Sequence, residues 1–164
     1  MTRSQAISLH PARPGDAGAI ARMSRDLIER GLGWSWHKRR VLQHIKGHKS
    51  LVVVARGPTE RVLGFAIMIF DEDSAHLALL AVSPKARRQR LGARLLAWLH
   101  KTCLVAGTFV VWLEVREKNH GARAFYRAQG YHEVARVPGY YQGREDAIKL
   151  RRDLRRRSFE PPAP

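Results

Sequence analysis

A mixed α/β fold built on a largely antiparallel sheet is predicted for this chain, on three observations. The apolar runs at residues 51–56 and 62–70 flank a Gly57-Pro58 turn and read as a hairpin. A third run, residues 76–82, follows within a few positions and extends the pair to a meander. A strand, helix and strand then follow at 76–82, 91–106 and 109–115, a spacing that favours parallel pairing through a helical crossover.

Each element has a local reason. Alternation over residues 6–10 predicts a first strand, and the Pro11 to Gly15 segment turns the chain. Asp16 is expected to cap a helix whose apolar face carries Ile20, Met23 and Leu27 and which Gly31 and Gly33 stop. A second short helix is expected from Ser35 or Trp36 to about Lys46. The apolar and polar positions from Leu91 to Ala106 give an amphipathic helix, with Cys103 on the face of Leu95, Leu96 and Leu99. Asn119 caps the last helix and Gly130 ends it. Two final strands, 131–136 and 144–154, are expected on either side of a Pro138-Gly139 loop that also holds Tyr140 and Tyr141.

Length and composition bound the rest. A chain of 164 residues is expected to form one domain with one core, spanning 1–157, with the Pro-rich segment 158–164 as a disordered tail. A single cysteine excludes an intramolecular disulfide. No apolar run approaches the roughly 20 residues that span a bilayer, and the first residues lack the apolar centre of a signal peptide, so a soluble, cytoplasmic protein is expected. The net charge is +16, and 23 of the 30 cationic side chains are arginine. They cluster at residues 37–40, 87–94 and 151–157, where a solvated surface, contact with RNA or a ribosome, and an acidic peptide substrate are all open readings. His44 and His48 have the i, i+4 spacing of a metal pair but no third ligand in sequence, and no metal is expected.

The most informative stretch runs from His76 to Gly130, with an Arg-rich turn ahead of the Leu91 helix. A helix N-terminus presents unpaired N–H groups and partial positive charge, so this turn, ringed by Arg87, Arg88, Arg90 and Arg94, reads as a phosphate site. The segment from Ala81 to Leu96 resembles the acetyl-CoA motif Q/R-x-x-G-x-G/A of the GCN5-related N-acetyltransferases (GNAT). Residues 112–119, 124–131 and 140–148 are similar, in order and spacing, to the ribosomal-protein-alanine N-acetyltransferases of that superfamily.

The resemblance implies the GNAT acyl-CoA N-acyltransferase fold, a central mixed and mostly antiparallel sheet flanked by helices. It also implies transfer of acetyl from acetyl-CoA to an amine, foremost the N-terminal α-amine of a protein such as a ribosomal protein. By the same resemblance Glu114 is the general base and Tyr126 the acid that protonates the departing thiolate. Leu80, Ala81, Val82, Arg87, Arg88, Gln89, Arg90, Leu91, Gly92, Ala93 and Asn119 hold the coenzyme, and Trp34, Tyr140 and Tyr141 hold the acceptor. The chain departs from the motif at Arg90, where the family has its first glycine, and at Gly33, where a proline precedes the tryptophan. Two other functions stay open at this stage: acetylation of a small-molecule amine, and an RNA- or ribosome-associated module that has lost turnover because of Arg90.

Overall fold

The computed structural model describes residues 6–87 and 89–156; Arg88 and the expected tail at 158–164 lie outside the described residues. The strands are β1 (Ser8–Pro11), β2 (Ser50–Arg56), β3 (Val62–Phe70), β4 (Ser74–Val82), β5 (Val110–Arg116), β6 (His132–Tyr141) and β7 (Glu145–Asp153). The helices are α1 (Ala17–Met23), α2 (Lys38–Lys46), α3 (Leu91–Ala106) and α4 (His120–Ala128). Hydrogen bonding runs in the order β1-β2-β3-β4-β5-β7-β6. The β1–β2, β2–β3, β5–β7 and β6–β7 pairs are antiparallel, and β4–β5 is parallel as its spacing predicts.

Two compact units make up the chain. The first comprises Met1–Ile69 and Ala78–Leu99. Its core gathers Ile20, Trp36, Val41, Val54, Phe65, Ile67 and Leu79, and β2 and β3 are buried on both faces, which explains their nearly continuous apolar runs. Asp16 does not cap α1. Its carboxylate accepts from the Arg13 N–H at 2.7 Å and from both terminal nitrogens of Arg56, at 2.8 and 2.6 Å, and helix α1 starts one residue later. Burial pulls the Asp16 carboxyl up, but the hydrogen bonds from Arg56 and Arg13 and their charges outweigh it and hold it below its usual value.

Helix α1 runs on into a π-helical turn at Ser24–Ile28, and Gly31, at φ 81°, turns the chain away. Glu29 closes that turn from inside. One carboxylate oxygen accepts from the Ser35 N–H at 2.7 Å and its hydroxyl at 2.5 Å, the other from the Ser24 hydroxyl at 3.1 Å and the Trp36 N–H at 3.2 Å. A buried carboxylate without a cation is costly unless its lone pairs are filled, and here neutral donors fill them. The loop from Glu29 to Trp36 is thereby shaped around one side chain, and α2 begins only at Lys38.

The second unit comprises Phe70–Leu77 and His100–Pro164. Strand β5 alternates strictly: Val111, Leu113 and Val115 are buried, while Trp112, Glu114 and Arg116 share the other face. Strand β6 is longer than expected. It runs through Pro138-Gly139 to Tyr141 by way of irregular pairing after Val137, so Tyr140 and Tyr141 end a strand instead of lying in a loop. Gln142 and Gly143 both have positive φ, 56° and 71°, and the Arg144 N–H donates to the Tyr141 carbonyl at 2.9 Å, closing a tight hairpin.

Beneath this sheet His100, Tyr131 and Arg152 form a buried chain. The Arg152 guanidinium can only donate, so His100 Nδ1, at 3.3 Å, is the acceptor, and His100 Nε2 donates to the Tyr131 hydroxyl at 2.7 Å. Burial first, then the charge of Arg152, push the His100 pKa down to about 4.

Two outcomes are expected. Asp16→Asn leaves Arg56 buried with a poorer partner and should cost about 3 kcal/mol in denaturant unfolding. The Asp16 carboxyl is depressed on folding, so its contribution is complete above the unfolded value near 4 and is lost as pH falls through the folded one. His100, also depressed, adds stability that is complete above about pH 6.5 and is lost as pH falls toward 4. His100→Gln should therefore flatten the fall in unfolding midpoint between pH 7 and 5.

Candidate active site

In the first unit the end of β4 and the start of α3 build the predicted phosphate turn. Leu80 and Val82 are half-buried and Ala81 is buried, so what they can offer a ligand is main chain. Gly64 of β3 packs closely beside them, and a Cβ there would lie 3.2 Å from the Ala81 carbonyl oxygen and 3.3 Å from Leu95. The Ser83 N–H donates to the Leu63 carbonyl at 2.8 Å as β4 ends, and a short 3-10 turn, Pro84–Ala86, follows.

Arg90 then takes φ 56°, the left-handed region that glycine enters freely. The arginine thus adopts the backbone conformation the motif glycine would supply, at a cost of roughly 1–2 kcal/mol for a residue with a Cβ. Helix α3 starts at once: the Arg94 N–H donates to the Arg90 carbonyl at 3.0 Å, and the N–H groups of Leu91, Gly92 and Ala93 precede that first bond. Leu91 is a core side chain and can serve a ligand only through its backbone, whereas Arg87, Gln89 and Arg90 are exposed. Arg94 is committed elsewhere, its guanidinium donating to the Ile7 carbonyl at 2.9 Å. Arg88 lies outside the described residues.

Trp34 sits half-buried on the loop that Glu29 shapes, its ring 4.1 Å from that of His37 and 5.3 Å from the Arg25 guanidinium. Among the described residues its buried indole N–H has no partner. His44 Nδ1 lies 2.7 Å from the Ser50 hydroxyl, and no group of three metal-ligating side chains occurs among the described residues.

The second unit holds Glu114 and Tyr126, which the resemblance implies as base and acid. Glu114 is largely buried, and its Oε2 lies 2.5 Å from His76 Nε2. The Tyr140 hydroxyl donates to the same carboxylate. Burial first, and then the charge and hydrogen bond of Glu114, raise the Tyr140 phenol above its usual range. Tyr141 packs edge-on to Tyr140 at 4.9 Å, and its phenol is raised by burial and by the neighbouring Tyr140, Glu114 and Tyr126. Tyr126, buried on α4, is likewise raised, by burial alone, and so stays protonated at physiological pH. Asn119 caps α4, its side-chain oxygen accepting from the Ala122 N–H at 3.1 Å.

The partner of Glu114 is His76, and Arg116 pairs with Glu145 at 3.3 Å. Sequence reasoning missed His76. The signal available was a polar residue inside the apolar run 75–82.

The sequence profile described as the acetyltransferase (GNAT) family matches residues 21–131. The chain belongs to that family. A ribosomal protein bS18-alanine N-acetyltransferase of Salmonella typhimurium is 39% identical over 92 residues, a match that covers 54% of this chain and only 62% of that relative's length. The crystal structure of the Escherichia coli ribosomal-protein-S18-alanine N-acetyltransferase superposes with a TM-score of 0.76 at 27% identity, covering 96% of this chain and 97% of that one. Arabidopsis thaliana NAA60, solved in complex with acetyl-CoA, shares the fold at a TM-score of 0.79 and 17% identity, covering 92% and 100%. The GNAT fold expected from the motif resemblance is borne out.

Because Arg90 occupies a glycine conformation, Arg90→Gly should raise unfolding stability by about 0.5–1 kcal/mol, the left-handed strain relieved less the extra entropy of an unfolded glycine. Denaturant unfolding with an unchanged m-value would check it.

Proposed function

We propose that this chain is an acetyl-CoA-dependent N-acetyltransferase acting in the cytoplasm on the N-terminal α-amine of a protein, a ribosomal protein foremost. The observation that carries the reading is Glu114. A largely buried carboxylate, held at 2.5 Å by His76 and hydrogen-bonded by Tyr140, is a proton acceptor with a fixed aim. The named activities of the bacterial relatives point to the same chemistry.

The turn suits a pyrophosphate. Arg90 keeps the glycine-like conformation, three backbone N–H groups start a 16-residue helix, and Arg87, Gln89 and Arg90 are exposed beside them. That conformation favours the transferase reading over a module with lost turnover. Leu80, Ala81 and Val82 offer main-chain groups to the pantetheine arm and the thioester carbonyl, and Asn119 adds a polar side chain. Acetyl-CoA supplies an activated acetyl thioester.

The acceptor arrives as an ammonium whose pKa lies near 8, so Glu114, with His76 beside it, needs to remove only a modestly acidic proton. The freed amine forms the C–N bond as the C–S bond breaks, and the Tyr126 hydroxyl gives its proton to the departing sulfur. Tyr140, Tyr141 and Trp34 hold the first residues of the acceptor.

Glu114→Gln should lower turnover about a hundredfold near pH 7 and much less near pH 9.5, where the amine is already deprotonated; an equal loss at both would remove Glu114 from the role. Tyr126→Phe should slow single-turnover transfer by ten- to a hundredfold while acetyl-CoA affinity, read by calorimetry, stays within twofold.

A further inference from the structure

We infer that the sheet face bearing Trp112, Lys149 and Arg151 reads an acidic side chain about three residues from the acceptor amine. The inference deepens the proposed function and rests on its polypeptide acceptor. Register places these side chains. His76 pairs with Trp112, Trp112 with Arg151, and Arg151 with His132, so one row crosses β4, β5, β7 and β6 on a single face. Glu114 and Lys149 face each other in the next row.

Two cations share one indole there. The Lys149 ammonium is 4.4 Å from the centre of the Trp112 ring and the Arg151 guanidinium carbon is 5.5 Å from it. Both are half-buried, and among the described residues neither closes an ion pair within 4.0 Å. The carboxylates of these strands are taken: Glu114 by His76 and Tyr140, Glu133 by Arg123, Glu145 by Arg116, Asp146 by Arg136. Asp153, the anion nearest in charge to Arg151, is bonded through both oxygens to Arg155. Two like charges gathered on one ring, with the nearby carboxylates engaged by other partners, form a site complementary to an incoming carboxylate, and partial burial strengthens that attraction over a solvated pair.

Direction and reach follow from strand geometry. Trp112 lies two residues, about 7 Å, from Glu114 along β5. In the opposite direction Arg116 stacks on Tyr141 at 5.8 Å and pairs with Glu145. An acceptor with its amine at Glu114 therefore extends past Trp112, and at about 3.3 Å per residue its third side chain arrives beside Arg151 and Lys149.

Calorimetry on the full chain saturated with CoA tests this, using eight-residue peptides that begin with alanine and carry Glu, Ala or Lys at position three. The Glu peptide should bind about tenfold tighter than the Ala peptide, and the Lys peptide weakest. Combining Lys149→Gln with Arg151→Glu should invert that order, a result that misfolding cannot produce. Equal affinities, no binding of any peptide, or an order unchanged in the variant would overturn the inference. So would loss of polyuridine binding in the variant with the peptide order intact, which would assign the face to RNA. Binding is read without turnover, so a Glu-over-Lys order without acetylation would count against the proposed acceptor chemistry while the face remained a carboxylate reader.

Discussion

A short parallel pairing, Ser74 to His76 against Val110 to Trp112, decides which side chains can meet in the second unit. Strand β5 is pleated with one face buried, so a slip of one residue would turn Glu114 into the apolar layer and Leu113 out of it. The antiparallel β5–β7 register, continuous from Val110 to Arg116, locks the strand from its other side. With both neighbours fixed, the imidazole of His76 and the carboxylate of Glu114 meet from adjacent strands, and the paired tyrosines come from the end of β6. The grouping of His76 and Glu114 is thus a consequence of backbone hydrogen bonding that involves neither side chain.

Charged groups below the surface are stabilised in three different ways. Asp16 and Arg56 match a carboxylate to a guanidinium through two parallel bonds, the geometry that best offsets desolvation. Glu29 pairs with no cation among the described residues and relies on hydroxyl and backbone donors. His100 gives up its charge and remains as a neutral link between Arg152 and Tyr131. Cys103, the lone thiol, is buried as its place on an apolar helix face predicted, and burial pushes it up to about 11, where it is inert.

Much of this was legible in the sequence, because hydrophobic period and turn residues are local signals. The strand order in chain, the α3 helix and the Asn119 cap needed no partner from elsewhere. What escaped depended on distant residues. Asp16 looked like a cap because an aspartate ahead of an apolar helix is one in most contexts, and only Arg56, forty positions on, redirects it. His76 looked like the rim of a strand until β5 was set beside it. The β6 strand passes through Pro138-Gly139, residues that punctuate most strands, because an edge strand with irregular pairing tolerates them. Arg90 could be recognised as a departure from the motif, but whether the loop or the residue would yield was not written in its neighbours; the residue yields, with φ 56°.

The Glu29 network separates the shape of a loop from the side chains it displays. Ser24, Ser35 and the Trp36 N–H hold the curve through a carboxylate on the inside, whereas Leu32, Gly33 and Trp34 contribute nothing to those four bonds. Such a division lets the displayed positions drift under selection while the frame persists. Diversification among descendants of this chain would begin at residues 32–34, and a library built there would vary the displayed side chains without first having to rebuild the scaffold.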